Sequence, residues 1–111
     1  MLDSSVLKSQ LKMDKRFNDP FLNILPTLDL HGETRDAVRF LVLDFIKIQR
    51  KLGNYKLVII HGRHGGILKK EVHEILRYSK EIEKFYVYGS NDGVTIVELT
   101  HSLEKNPSQM D

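Results

Sequence analysis

Leu57-Val58-Ile59-Ile60 is an unbroken apolar run rich in β-branched residues, set between two stretches of helical periodicity. A half-solvated strand would alternate apolar and polar positions. A continuous run of this length instead fits a central parallel strand buried on both faces. Such a strand needs helical crossovers on either side, and both are visible. Upstream, Val38, Leu41, Val42, Phe45, Ile46 and Leu52 recur at helical spacing. Thr34 is placed to cap that helix, Asp36 lies in its first turn where the dipole favours a carboxylate, and Gly53-Asn54 closes it. Downstream, Leu68, Val72, Ile75, Leu76 and Ser79 mark the inward stripe of a second helix. Leu28 to Leu30 reads as a short strand before the first helix. Phe85 to Tyr88 and Val94 to Leu99 read as strands after the second, joined by a hairpin loop at Gly89-Ser90-Asn91-Asp92-Gly93.

The predicted order is β-α-β-α-β-β. Crossovers between parallel strands are right-handed in nearly all cases, so both helices are expected on one face. The fold class is therefore α/β: a two-layer sandwich with a mixed four-stranded sheet, plus an N-terminal arm. The other sheet face would carry alternate residues of the last two strands, such as Tyr86, Tyr88, Val97 and Leu99 or their neighbours. Residues 1–26 form the arm, with a faint helical signal at Val6, Leu7 and Leu11 and an apolar cluster from Phe17 to Leu25, broken by Pro20 and Pro26. That cluster is the expected cover for the bare face. Residues 27–100 form the domain and 101–111 a polar, frayed tail.

The chain of 111 residues suits one domain, and 41% hydrophobic residues suffice for a modest core. Cysteine is absent, which excludes disulfides and thiolate metal sites and fits a reducing compartment. The start Met1-Leu2-Asp3-Ser4-Ser5 has neither the basic nor the apolar region of a secretory signal. No apolar run approaches the ~20 residues needed to span a bilayer. The expectation is a soluble cytoplasmic protein with no membrane partner. A net charge of +2 is by itself a weak pointer to an anionic partner.

Chemistry concentrates where the first two strands end. Asp29 and His31 lie two apart, on one side of an extended chain. His61 leaves the neighbouring parallel strand about 5 Å away. Ligands of open α/β sheets bind at this edge. The second helix starts near Gly66 to Leu68, where free N–H groups and the helix dipole favour an anion. Arg63 and Lys69 flank that point, and Gly62, Gly65 and Gly66 permit close backbone approach. A phosphate is the natural occupant. The spacing matches neither a P-loop, since Ile67 stands where its second Gly would fall, nor G-x-G-x-x-G, which disfavours nucleoside triphosphates and dinucleotides. Lys69, His73, Arg77 and Lys80, with Lys70 beside them, form a basic stripe expected opposite the apolar face, and such a stripe suits a polyanion.

Simpler roles compete at each position. Asp29 also reads as a carboxylate bridging two loops, and His31 as a ring tied to a carbonyl. His61 reads equally as a phosphate contact or as a structural hydrogen bond beneath the loop. His64 and His73 read as exposed. Tyr86 and Tyr88 could stack bases or lie under the arm, and Ser90, Asn91 and Asp92 would rim the site if the third strand runs parallel to the first two. A metal site from Asp29, His31 and His61 is conceivable, but the spacing is not diagnostic. No residue is therefore assigned as a metal ligand; no cofactor is implied with certainty, and a divalent ion, Mg or Mn, stays open.

Leu28-Asp29-Leu30-His31-Gly32 matches in full the LDLHG motif of the Smr (small MutS-related) domain, and the chain resembles that family. His61-Gly62-Arg63-His64-Gly65-Gly66-Ile67-Leu68-Lys69 resembles its HGxGxGxLR motif, with His64 in place of the second Gly and Lys69 in place of Arg. Lys69 keeps the charge without the bidentate fork. Asp92 to Leu99 resembles the Gly-Ala-Thr strand that ends the domain. The resemblance spans Leu28 to Leu99. It implies a mixed four-stranded sheet akin to the C-terminal domain of a translation initiation factor. It also implies DNA or RNA binding, often with endonuclease activity, in recombination control or in mRNA and ribosome quality control. It assigns cleavage to Asp29 and His31, and nucleic-acid contact to His61, Gly62, Arg63 and Gly66. The expected function is phosphodiester hydrolysis on DNA or RNA. The alternative is a non-catalytic nucleic-acid- or ribosome-binding module, and a weaker third option is protein interaction through the uncovered sheet face.

Overall fold

The structure is a computed structural model, and it describes residues 20–62, 66–89 and 91–101. Strands β1 (Thr27–Asp29), β2 (Lys56–Ile60), β3 (Ile82–Tyr88) and β4 (Asn91–Leu99) form one sheet in the order β1-β2-β4-β3. β1 runs parallel to β2, with Leu28 opposite Ile59 and Asp29 opposite Ile60. β4 lies antiparallel to both β2 and β3. β3 is therefore parallel to β1 and β2, and the carboxyl ends of all three reach the same sheet edge. The start of β4 lies at that edge too.

Helices α2 (Arg35–Lys51) and α3 (Ile67–Arg77) cover one face, as right-handed crossovers require. Val38, Val42 and Ile46 of α2 meet Val72, Ile75 and Leu76 of α3 over Leu57, Ile59, Val97 and Leu99. The Thr34 hydroxyl accepts from Ala37 N–H at 3.2 Å and starts α2. Gly53, at φ +85°, stops it: Gly53 N–H donates to the Arg50 carbonyl and Asn54 N–H to that of Gln49, at 3.0 and 2.9 Å. This is a Schellman closure, and the left-handed backbone it needs favours glycine.

The second face is covered by α1 (Pro20–Asn23), whose Leu22 is buried against Val58, Val94 and Ile96, with Leu25, Ile60 and Tyr88 packed around them. Val58 thus points one way while Leu57 and Ile59 point the other, which explains the unbroken apolar run in β2. Two expected residues change sides. Val97 and Leu99 face the helices, and Val94 and Ile96 take their place under α1. Alternation divides a strand into two sets but does not say which set meets the helices. Tyr88 does lie on the α1 face, whereas Tyr86 is exposed and donates its hydroxyl hydrogen bond to Glu98 at 3.1 Å.

Boundaries also shift. β1 ends at Asp29, β3 begins at Ile82, and Tyr88 pairs with Asn91, so the β3–β4 turn is tighter than the five-residue loop expected. At the far end of β4 the Arg50 guanidinium donates to the Thr100 carbonyl, and His101 stacks on Tyr55 with ring centroids 3.9 Å apart. No helix among the described residues is long and apolar enough to cross a membrane. The expectations at Val6, Leu7, Leu11 and Phe17, and for the chain after His101, lie outside the described residues.

Candidate functional site

The two His-Gly turns leave β1 and β2 side by side. Leu30 N–H donates to the Ile60 carbonyl at 2.8 Å, joining the strand ends. The N–H groups of His61 and Gly62 both donate to the Gly93 carbonyl at 3.0 Å, which fastens the second turn to the start of β4. Gly62, at φ +84°, then redirects the chain in a conformation most side chains resist. Between the turns lies a cleft of about 440 Å³, lined by His31, Gly32, Glu33 and Arg35 on one side and His61, Gly62, Ile67 and Leu68 on the other.

Asp29 controls the orientation of His31. Its Oδ1 accepts the His31 backbone N–H at 3.1 Å and lies 2.9 Å from the ring Nδ1. With the carboxylate ionised and acceptor-only, Nδ1 carries the proton and Nε2 of the neutral ring is left with its lone pair. The His31 ring is 80% exposed, so that lone pair is accessible to a ligand. An accessible imidazole held in one tautomer by a carboxylate can take up a proton, or deliver one when it is charged.

His61 is built in differently. It is 4% exposed, and both ring nitrogens have protein partners. Nδ1 lies 3.2 Å from the Gly62 carbonyl, and Nε2 lies 2.7 Å from the hydroxyl of Thr95, a fully buried residue of β4. The same hydroxyl meets His73 Nε2 at 2.8 Å. The two imidazoles stand edge to face at 5.7 Å, and His73 also leans on Phe85 at 5.0 Å. Burial lowers the pKa of His61, with a further push from Lys69 against the opposing pulls of the Gly62 carbonyl and Asp92. Burial also lowers His73, to about 4, aided by His61, Lys69 and Arg77. Both rings are neutral at neutral pH.

His73 is thus not on an outward stripe. One residue past Val72 and three before Leu76, it sits at the margin of the buried face of α3, and its ring turns to the sheet. The cations divide accordingly. Lys69, Lys70 and Arg77 line a shallow groove of about 310 Å³ with Gly66, Glu74 and the flank of His73. Glu74 partly balances Arg77 at 3.9 Å, while Arg35 reaches Glu71 at 3.5 Å and ties α2 to α3. The groove leads to the start of α3, where Gly66 at φ +68° supplies no side-chain cap and the first turn holds no acidic residue. The uncapped N–H groups and dipole there favour an anion. Arg63, His64 and Gly65, expected in this loop, lie outside the described residues, as does Ser90. Asp92 does stand near His61, as the parallel course of β3 allows.

Among the described residues, no group of three or more His, Cys, Asp or Glu could hold a metal ion. Asp29, His31 and His61 do not form such a set, because His61 spends both nitrogens inside the protein. Thr95 and Gly93 hold the candidate site together, and side-chain chemistry alone did not single them out. A hydroxyl at an inward position of the otherwise apolar strand Val94-Thr95-Ile96-Val97 was the available signal.

The sequence model of the family described as Smr domain matches residues 28–100. The chain is 39% identical over 85 residues to the Endonuclease MutS2 of Caldanaerobacter subterraneus subsp. tengcongensis, covering 74% of this chain and 11% of that protein. It is 36% identical over 81 residues to the Endonuclease MutS2 of Brevibacillus brevis, covering 69% and 10%. The chain thus spans about a tenth of the length of these relatives. Among solved structures, the Smr domain of Thermus thermophilus MutS2 superposes with a TM-score of 0.67 at 30% identity, covering 68% of this chain and 99% of that one. YdaL, a stand-alone small MutS-related protein from Escherichia coli, shares the fold at a TM-score of 0.61 and 22% identity, covering 66% and 63%.

Proposed function

The chain belongs to the Smr domain family, and from that premise we propose that it binds DNA or RNA and hydrolyses phosphodiester bonds. The observation that carries this reading is the Asp29–His31 pair on the rim of the cleft that also receives the uncapped start of α3. In the proposed reaction the scissile phosphate sits against the N–H groups at Gly66 to Leu68, with Arg63 and Lys69 offsetting its charge. Gly62 and Gly65 leave room for the backbone to approach. His31 Nε2 takes the proton of the attacking water as the new P–O bond forms, and the leaving oxygen departs with a proton from solvent or from the charged ring. Asp29 holds the ring in register and stabilises the imidazolium. Lys69, Lys70 and Arg77 hold the flanking backbone. The described residues offer no gathered ligand set for Mg or Mn, and no step here depends on one. The relatives named above as endonucleases support the class of reaction. A cytoplasmic setting rests on the cysteine-free composition.

The cation groove also supports a second reading, because it would bind a polyanion, or a ribosome through its RNA, with no chemistry at His31. The two are separated by incubating the purified chain with labelled RNA and DNA, with and without EDTA, beside Asp29→Asn and His31→Ala. Cleavage lost in both variants supports hydrolysis. Binding without cleavage favours the second reading, and equal cleavage by all three proteins points to a contaminating nuclease and removes the support for the first.

A further inference from the structure

One hydroxyl between a buried and a half-buried imidazole leaves little freedom in where the protons lie. The Gly62 carbonyl can only accept, so His61 Nδ1 carries hydrogen, and the neutral ring presents a lone pair at Nε2. Thr95 must then donate its single proton to His61 Nε2 at 2.7 Å. Its oxygen is left as the acceptor for His73 at 2.8 Å, so His73 carries hydrogen on Nε2. The two histidines are fixed in opposite tautomers by one side chain. No buried side-chain nitrogen or oxygen among the described residues lacks a partner, so the chain of bonds is complete.

We propose that Thr95 is the positioning residue of the anion site at Gly62 and the start of α3, holding the His61 ring against the Gly62 carbonyl and tying the same point to α3 through His73. Three elements meet at this hydroxyl: the end of β2 through His61, the middle of β4 through Thr95, and α3 through His73. Gly62 precedes residues 63–65 and α3 follows them, so the hydrogen-bonded chain ties together the two segments that flank them. Neutral His61 has no nitrogen left for a phosphate; it shapes the loop instead of touching what the loop binds. The consequence for ligand binding rests on the phosphate-loop reading above, but the tautomer pattern and the loop restraint do not.

The test compares the full chain with Thr95→Val, Thr95→Ser and His73→Phe. Nitrogen-15 chemical shifts report the tautomers, amide exchange at Gly62 reports the loop, and titration with a labelled oligonucleotide reports binding. Wild type and Thr95→Ser should show His61 protonated on Nδ1 and His73 on Nε2. Thr95→Val, close in shape but without the hydroxyl, should lose this pattern, exchange Gly62 faster, and bind roughly five- to tenfold more weakly. His73→Phe retains an aromatic ring beside Phe85 and should leave His61 protonated on Nδ1. Like tautomers in the two wild-type rings, or a folded Thr95→Val chain with unchanged Gly62 exchange, would overturn the proposal. A wild-type chain with the predicted tautomers and no affinity for the oligonucleotide would overturn the phosphate-loop reading alone.

Discussion

A single oxygen of Asp29 accepts both the backbone N–H and the ring Nδ1 of His31, at 3.1 and 2.9 Å. The first contact fixes the turn after β1, and the second fixes the ring on it. Both residues are exposed, so their replacement tests chemistry with little disturbance of the core. Asp29→Asn and His31→Ala should each reduce cleavage by ~10²-fold or more. Each should leave stability within about 0.5 kcal/mol, as is usual for exposed positions. The check is initial rates beside thermal melts, and a variant that keeps wild-type rates would remove the pair from the mechanism.

Arg77 should act on affinity and not on turnover of bound substrate, whereas Lys69, set against the scissile phosphate, should act on both. Both line the groove on α3. Lys69→Ala and Arg77→Ala should each weaken oligonucleotide binding and lower the slope of log affinity against log salt by roughly one. Titrations at several salt concentrations measure this. An unchanged slope in both variants would place the nucleic acid elsewhere.

The two imidazoles that share Thr95 make stability depend on pH in a definite direction. His73 has its pKa lowered to about 4, and His61 is lowered as well, while both take up protons more readily in the unfolded chain. The unfolded state therefore binds more protons between about pH 6.5 and 4, and stability must fall as pH drops through that window. The groups facing these rings act in opposite senses: Lys69 and Arg77 resist protonation, and Asp92 favours it at His61. A further limit is geometric, since two charged rings would aim two N–H donors at one hydroxyl oxygen. With allowance for solvent screening of the partly exposed His73, the loss is about 1–3 kcal/mol. Denaturant melts at pH 7 and 4.5 would measure it, and the His73→Phe chain should show a shallower dependence on pH.

Leu22 is the anchor of α1, 4% exposed over Val58, Val94 and Ile96. Leu22→Ala should cost about 2–3 kcal/mol, the usual loss for emptying such a site. Removal of residues 1–26 should lower the melting temperature further and increase binding of a hydrophobic dye. A truncated chain that melts like the parent would mean that this face needs no cover.

Much of this architecture follows from local rules. The apolar run at Leu57–Ile60, the cap at Thr34, the stop at Gly53 and the stripe Val72, Ile75 and Leu76 each specify an element through nearest-neighbour chemistry. The same is true of Asp29 and His31, because two residues on one side of an extended chain are neighbours before any folding occurs. What the sequence by itself determined is thus the α/β order, the family motifs and the pairing of Asp29 with His31 in the candidate site. Only the tertiary structure decided which faces of β4 meet the helices, and what becomes of His61 and His73. Their partner Thr95 is 34 residues from one and 22 from the other. A contact across that separation depends on register between β2, β4 and α3, and a shift of one residue would turn the hydroxyl to the opposite face. Residue type and spacing alone place His73 on an exposed basic stripe. Half-burial beside Phe85 and a shared hydroxyl make it neutral and turn its ring toward the sheet.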